Sequence, residues 1–175
     1  MLQRTKAEKV AEVYQTFSKT FPSLSDASRS DPEKIRGVLY PLGLRWRNEK
    51  IIQLIHEIIE RDGEIPIDKK ELMKMAGIGE YVSNAYLSLY QNIKAPITDN
   101  NAVRLWSRVF NFKIDAETRK KRWFHNLTDR ITPDDSFKGF NFAVLDLTRK
   151  ICRKKPECKI CPINKECQYF SKKFI

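Results

Sequence analysis

Leu72-Met73-Lys74-Met75-Ala76-Gly77-Ile78-Gly79-Glu80-Tyr81-Val82 is the stretch on which the fold turns. A short helix, a Gly-Ile-Gly turn and a second helix follow one another here, the pattern of a helix-hairpin-helix over residues 68–90. Glycine permits positive φ and lets another backbone come close. The second helix then starts with amide N–H groups that lack intrahelical acceptors and with the positive end of its dipole, which together suit a phosphate. A plain helix–helix turn with glycine at C′ uses the same residues. What favours the phosphate grip is the company the turn keeps: Pro96-Ile97-Thr98-Asp99, the start of an aspartate-capped helix, comes soon after it.

Outward from the hairpin, almost every segment reads as helix. Asp68 and Glu71 open the helix before the turn, and Glu80 to Tyr90 forms the one after it, with Val82, Ala85, Tyr86 and Leu89 on one face. Asp99 caps a helix carrying Val103, Trp106 and Phe110. Upstream, Thr5 and Glu8 suggest a capping box for a helix with Val10, Val13, Tyr14 and Phe17 on its apolar face. Asp31-Pro32 starts a short helix, and Ile51, Ile55, Ile58 and Ile59 stripe one from Arg45 to Arg61 that Asp62-Gly63 ends. Downstream, Asp115 caps a helix reaching Ile131, and Phe137 to Ile151 is the last long one, burying Phe140, Val144, Leu147 and Ile151. No alternating run asks for a sheet. The fold class is all-α, in two helical lobes, with a soft boundary at Asn111–Asp115 that divides the chain into 1–112 and 113–175.

With 41% hydrophobic residues, three Trp, six Tyr and ten Phe, the chain can bury a real core. Its formal charge of +11 makes a polyanion the default partner. The basic residues lie along most of the chain rather than on one amphipathic stretch, which favours nucleic acid over a membrane surface. No segment approaches the roughly 20 apolar residues of a membrane span. Met1-Leu2-Gln3-Arg4-Thr5 shows no apolar signal core, so the expected setting is intracellular, in cytoplasm or nucleoid.

All four cysteines lie between 152 and 167, as Cys152, Cys158, Cys161 and Cys167 in a C-x5-C-x2-C-x5-C array. Four thiolates this close suit a metal centre better than disulfides in a reducing compartment. Iron–sulfur clusters and zinc both accept such ligation, but zinc modules usually show two C-x2-C knuckles. The single knuckle here favours a [4Fe-4S] cluster. Arg153, Lys154, Lys155, Lys159 and Lys165 surround it and suit backbone phosphates.

Gly77-Ile78-Gly79-Glu80-Tyr81 together with Pro96-Ile97-Thr98-Asp99-Asn100-Asn101-Ala102-Val103-Arg104 resembles the endonuclease III (HhH-GPD) superfamily of DNA glycosylases, where the pair reads L-P-G-V-G-x-x-T-A and V/L-D-x-N-V-x-R. The resemblance runs over nearly the whole chain. Leu2-Gln3-Arg4-Thr5 is similar to the family's L-x-Q-x-T opening. Leu42-Gly43-Leu44 with Arg47 is similar to its L-G-L…R-A turn, with one residue fewer before the arginine. Phe140-Asn141, Leu145-Asp146-Leu147 and Ile151-Cys152 resemble the approach to its C-x6-C-x2-C-x5-C cluster loop, which here is one residue short in the first gap.

The resemblance implies a DNA-binding cleft between the lobes, a [4Fe-4S] cluster that is mainly structural, and a set of roles. Asp99 matches the catalytic aspartate. Breaking an N-glycosidic bond builds oxocarbenium-like charge on the sugar, which a fixed carboxylate stabilises while orienting water. Tyr81 stands where members that also nick the strand carry a Schiff-base lysine. Tyrosine supplies no such amine, which implies a monofunctional enzyme resembling the thymine–DNA mismatch glycosylases, acting on T or U opposite G. Gln3 matches the wedge that fills the gap of the flipped base, and Arg4 lies beside it. Leu44, Arg45 and Trp46 fall on the second DNA-probing turn, with Trp46 read equally well as core. Gly77, Ile78, Gly79, Glu80, Asn101 and Arg104 complete the expected DNA contacts. His56 and His125 show no metal spacing. The partner is double-stranded DNA bound by a monomer.

The nearest rival is the MutY-like adenine glycosylase branch. An acidic residue ahead of Met1-Leu2-Gln3 and a further C-terminal domain would mark that branch, and the sequence carries neither. A non-catalytic helix-hairpin-helix DNA-binding protein and a zinc-stabilised module are the readings from other classes.

Overall fold

In the computed structural model, which describes Met1 and residues 5–174, the apolar spacings become α-helices and short 3-10 turns, with no strand among the described residues. The chain divides into two compact units, Met1–Gly79 and Glu80–Ile175. The boundary therefore falls in the hairpin and not at 112/113. The reason is that the helix carrying Val103 and Trp106 shares one apolar cluster with Phe124, Val144 and Cys152, so the polar link at 111–115 separates no cores.

In the first unit, helix α1 (Ala7–Thr20) lies on α3 (Pro32–Leu39), and α2 (Leu24–Arg29) and α3 lie on α4 (Arg45–Ile59). Val13, Phe21, Ala27, Ile35, Leu39, Leu42, Ile52 and Ile55 form its core. Each buried Val, Leu, Ile or Phe among them contributes about 1.5–3 kcal/mol. Asp31 caps α3 with Pro32 in its first turn, and Asp68 caps α5 (Lys69–Lys74), both as the sequence indicates. The box of Thr5 and Glu8 does not form. The α1 N-cap is Lys6, and Thr5 instead donates its hydroxyl to the Leu42 carbonyl, a partner 37 residues away. Tyr14 stays exposed. Helix α2, which has too few apolar residues to announce itself, is secured by a Ser23–Asp26 capping box.

The second unit holds α6 (Glu80–Leu89), α7 (Asn100–Phe110), α8 (Arg122–Ile131), α9 (Phe137–Lys150) and α10 (Gln168–Phe174). Two local expectations fail here. Residues 115–131 are not one helix: Asp115 accepts from the Glu117 amide and the Thr118 hydroxyl, which closes a 3-10 turn over Thr118–Lys120, and α8 starts after extended Lys121. Helix α6 buries Ser83, Asn84, Leu87 and Ser88 rather than Val82, Ala85, Tyr86 and Leu89. Polar residues can face inward because partners meet them: Asn84 donates to the Pro96 carbonyl, and the Ser88 hydroxyl accepts from Asn141 of α9. No helix among the described residues is long and apolar enough to cross a membrane.

Candidate functional site

The segment Ala95–Thr98 cannot be held by helix hydrogen bonds, so side chains hold it. Buried Asn141 accepts from the Ile97 amide at 3.0 Å and donates to the Ala95 carbonyl at 3.0 Å and to Ser88 Oγ at 2.8 Å. Asn84 adds the bond to Pro96 at 2.8 Å. These two asparagines fix the stretch that delivers Asp99 to the head of α7. Neither was expected at the site, although Asn141 lies in a segment that matches the family; a buried asparagine reads as an ordinary helix residue until its partners are known.

Asp99 takes extended φ and ψ and caps α7. Its Oδ1 accepts from the amides of Asn101 at 2.9 Å and Ala102 at 2.8 Å, and its Oδ2 accepts from Asn101 Nδ2 at 2.6 Å. Amide donors and the helix dipole favour the charged carboxylate. Tyr81, in the first turn of α6, is partly buried near this group. Its phenol is pushed above the ordinary tyrosine value, first by burial and then by the charge of Asp99. A neutral phenol and a fixed carboxylate thus share one locale in the second unit.

Asn101, which is exposed, and half-buried Arg104, both expected as DNA contacts, also have hydrogen-bond partners within the protein. Asn101 Oδ1 accepts from Arg104 Nη1 at 2.8 Å. Arg104 also donates through Nε and Nη2 to the Cys152 carbonyl at 3.0 and 2.8 Å, and through Nη2 to the Thr148 carbonyl at 3.1 Å. A chain of hydrogen bonds therefore runs from the Asp99 carboxylate to the backbone of the first cysteine. His125 also has a local partner: its Nδ1 lies 3.0 Å from Glu80 Oε1 at the start of α6.

In the hairpin, Gly77 has φ of 73° and Gly79 does not share that conformation. A Cβ on Gly77 would also stand 3.1 Å from Lys50 Cβ of α4. Glu57 of α4 accepts from the Ala76 amide at 2.8 Å, and Ile78 donates to the Met75 carbonyl at 3.1 Å. Both glycines are exposed.

Gly43 and Leu44 both have positive φ, 69° and 51°, just before α4. A leucine in the left-handed region is strained. Buried Arg47 braces the turn, donating to the carbonyls of Met1 at 2.7 Å and Leu42 at 2.8 Å. Arg45 is exposed, and Trp46, at 54% exposure, is not a core residue. Gln3 and Arg4 lie outside the described residues.

The four cysteines line one cavity in the second unit, between α7 and α10. Cys152 is buried and the others are partly so. Burial, and then the neighbouring cysteines, push the Cys158 thiol above the ordinary range; Cys161 is raised by burial first, with the other three cysteines adding to it against a hydrogen bond from Ile163. Among the described residues, no three His, Cys, Asp or Glu side chains gather as a single metal ion requires. The basic residues of the loop are exposed, with Arg153 paired to Glu157.

No family model matches the sequence. Individual relatives do. The chain is 30% identical over 99% of its length to a thymine/uracil-DNA glycosylase of Pyrobaculum aerophilum, 78% of which it covers. It is 32% identical over 98% of its length to a thymine-DNA glycosylase of Aeropyrum pernix, 79% of which it covers. Among solved structures, a thermostable thymine-DNA glycosylase superposes with a TM-score of 0.89 at 26% identity, over 98% of this chain and 80% of that one. With its helix-hairpin-helix sequence, its aspartate at the head of α7 and its four-cysteine loop, the chain belongs to the thymine/uracil-DNA glycosylase family.

Proposed function

We propose that the protein is a monofunctional DNA glycosylase that hydrolyses the N-glycosidic bond of a thymine or uracil opposite guanine and leaves an abasic site. What supports this reading is that Tyr81 lies close enough to Asp99 to feel its charge, and that a tyrosine, which has no amine, stands where the resemblance puts the Schiff-base lysine of strand-nicking enzymes. The target base leaves the stack before reaction, because its glycosidic bond is shielded inside the duplex. Asp99, with both oxygens held by its own helix, stabilises the positive charge that grows on the sugar and orients water toward C1′. Tyr81 supplies no nucleophile and packs beside the reacting pyrimidine.

Grip on the duplex comes from Gly77, Ile78, Gly79 and the first amides of α6, and from Leu44, Arg45 and Trp46 ahead of α4, with Gln3 and Arg4 filling the gap left by the base. Asn101 and Arg104 serve by orienting Asp99. Cys152, Cys158, Cys161 and Cys167 hold a [4Fe-4S] cluster. The shared cavity supports this, since its lining brings the four cysteines of one loop together, and four thiolates are a ligand set for such a cluster. The four cysteines would hold the cluster as a structural tie of the loop, and exposed Lys154, Lys155 and Lys159 of that loop would meet phosphates. A substrate in the genome supports a location inside the cell.

The test is an excision panel on duplexes carrying T·G, U·G, A·G and A opposite oxidised guanine, each with and without an alkaline strand-cleavage step. Release of T and U from the guanine pairs, with strand breaks only after alkali, is the expected result. Release confined to adenine pairs overturns the substrate assignment, and breaks without alkali overturn the monofunctional one.

A further inference from the structure

Arg108 lies one helical turn beyond Arg104 on α7, so both arginines face the cysteine loop. Its Nη1 donates to Cys152 Sγ at 3.3 Å and to the Arg153 carbonyl at 2.7 Å, and its Nη2 donates to the Lys154 carbonyl at 3.1 Å. The guanidinium lies 5.2 Å over the ring of Tyr169 on α10, and the Arg108 carbonyl faces Cys167 Sγ at 3.6 Å. One residue thus touches the first and the last cysteine and pins the first two residues of the gap between Cys152 and Cys158. That gap is the one a residue shorter than the family pattern.

A ligating cysteine is a thiolate, and a guanidinium donor stabilises that charge. Stacking on Tyr169 fixes the plane of the fork, so its donors meet three acceptors with little rotamer freedom left to lose. We propose that Arg108 is a positioning residue for the cluster: it holds the short Cys152–Cys158 loop in ligating shape while its hydrogen bond to the Cys152 sulfur tunes the cluster. This rests on the [4Fe-4S] reading above. Hydrogen bonds to cluster sulfurs and nearby charge set the reduction potential, and partners of metal ligands govern how firmly the metal is kept.

The experiment compares purified, iron-loaded wild type with Arg108→Gln and Arg108→Lys. Its readouts are iron and visible absorbance, iron loss to a chelator in air, the midpoint potential, and helicity by circular dichroism. Arg108→Gln should lose iron roughly 10–100-fold faster and show a lower potential, because a cation that favours the more negative reduced state is gone. Arg108→Lys keeps the charge but not the fork, and should lie between the two in both readouts. If Arg108→Gln does not fold, Arg108→Lys alone decides, by whether its iron loss is faster than wild type. Iron kept as long as wild type at an unchanged potential overturns the role of Arg108. Wild-type protein that binds no iron, or binds zinc, overturns the cluster reading itself, and the role of Arg108 falls with it.

Discussion

The side-chain amide of Asn101 donates to Oδ2 of Asp99 across 2.6 Å, while the backbone amide of the same asparagine donates to Oδ1. One residue thereby fixes the plane of the carboxylate. Arg104 holds Asn101 in turn, from an anchor on the Cys152 carbonyl. The carboxylate is aimed by a structure that extends through α7 to the cysteine loop.

Replacing Asp99 by Asn should leave the fold intact, since asparagine caps a helix about as well as aspartate. Excision should fall by roughly 10²–10⁴-fold, the range for loss of a positioned acid–base group. Single-turnover base release and DNA affinity, measured side by side, check this. Substantial surviving turnover would remove Asp99 from the chemistry.

Asn101→Ala keeps the Asp99 carboxylate and removes the side-chain bond that orients it. A hydrogen bond to a charged group is worth about 1.5–3 kcal/mol, so kcat should fall roughly 10–100-fold. Affinity for DNA should change little if Asn101 acts only through Asp99. A loss confined to affinity would make it a DNA contact instead.

Tyr81 carries a pH signature. Its folded value lies above the ordinary one of 10.0, so the folded protein holds this proton more tightly than the unfolded chain. The contribution to stability is complete below the unfolded value and is lost as pH rises through the folded one. Urea midpoints should therefore drop more steeply above pH ~10 in wild type than in Tyr81→Phe, the difference isolating this phenol from the other tyrosines. Borohydride should trap no covalent adduct with DNA.

The two hairpin glycines should behave differently. Gly77→Ala meets both a positive φ and Lys50, and should cost about 1–2 kcal/mol of stability. At Gly79 a Cβ meets open space, so Gly79→Ala should leave the thermal midpoint nearly unchanged. If a phosphate comes close to that backbone, Gly79→Ala nonetheless weakens DNA binding, evenly across sequences. Titration of both variants against matched and mismatched duplexes separates grip from folding.

Local chemistry wrote a good part of this protein into its sequence. Asp31, Asp68 and Asp99 cap helices because a short acceptor side chain reaches amides two or three residues ahead, which needs no knowledge of the fold. The turn at Gly77 and the spacing of the four cysteines are local in the same sense. The tertiary structure decided where side chains find distant partners. Thr5 left its expected capping role for the Leu42 carbonyl, α6 turned Ser83, Asn84 and Ser88 inward, and Trp46 stayed outside the core. Arg104 and Arg108 gave their donors to carbonyls and a sulfur more than 40 residues away. A desolvated polar group needs a partner, and which partner is near depends on how the helices pack. The sequence by itself thus determined the caps at Asp31, Asp68 and Asp99, because those bonds are local, while only the packing of α7 against the cysteine loop decided what orients the Asp99 carboxylate.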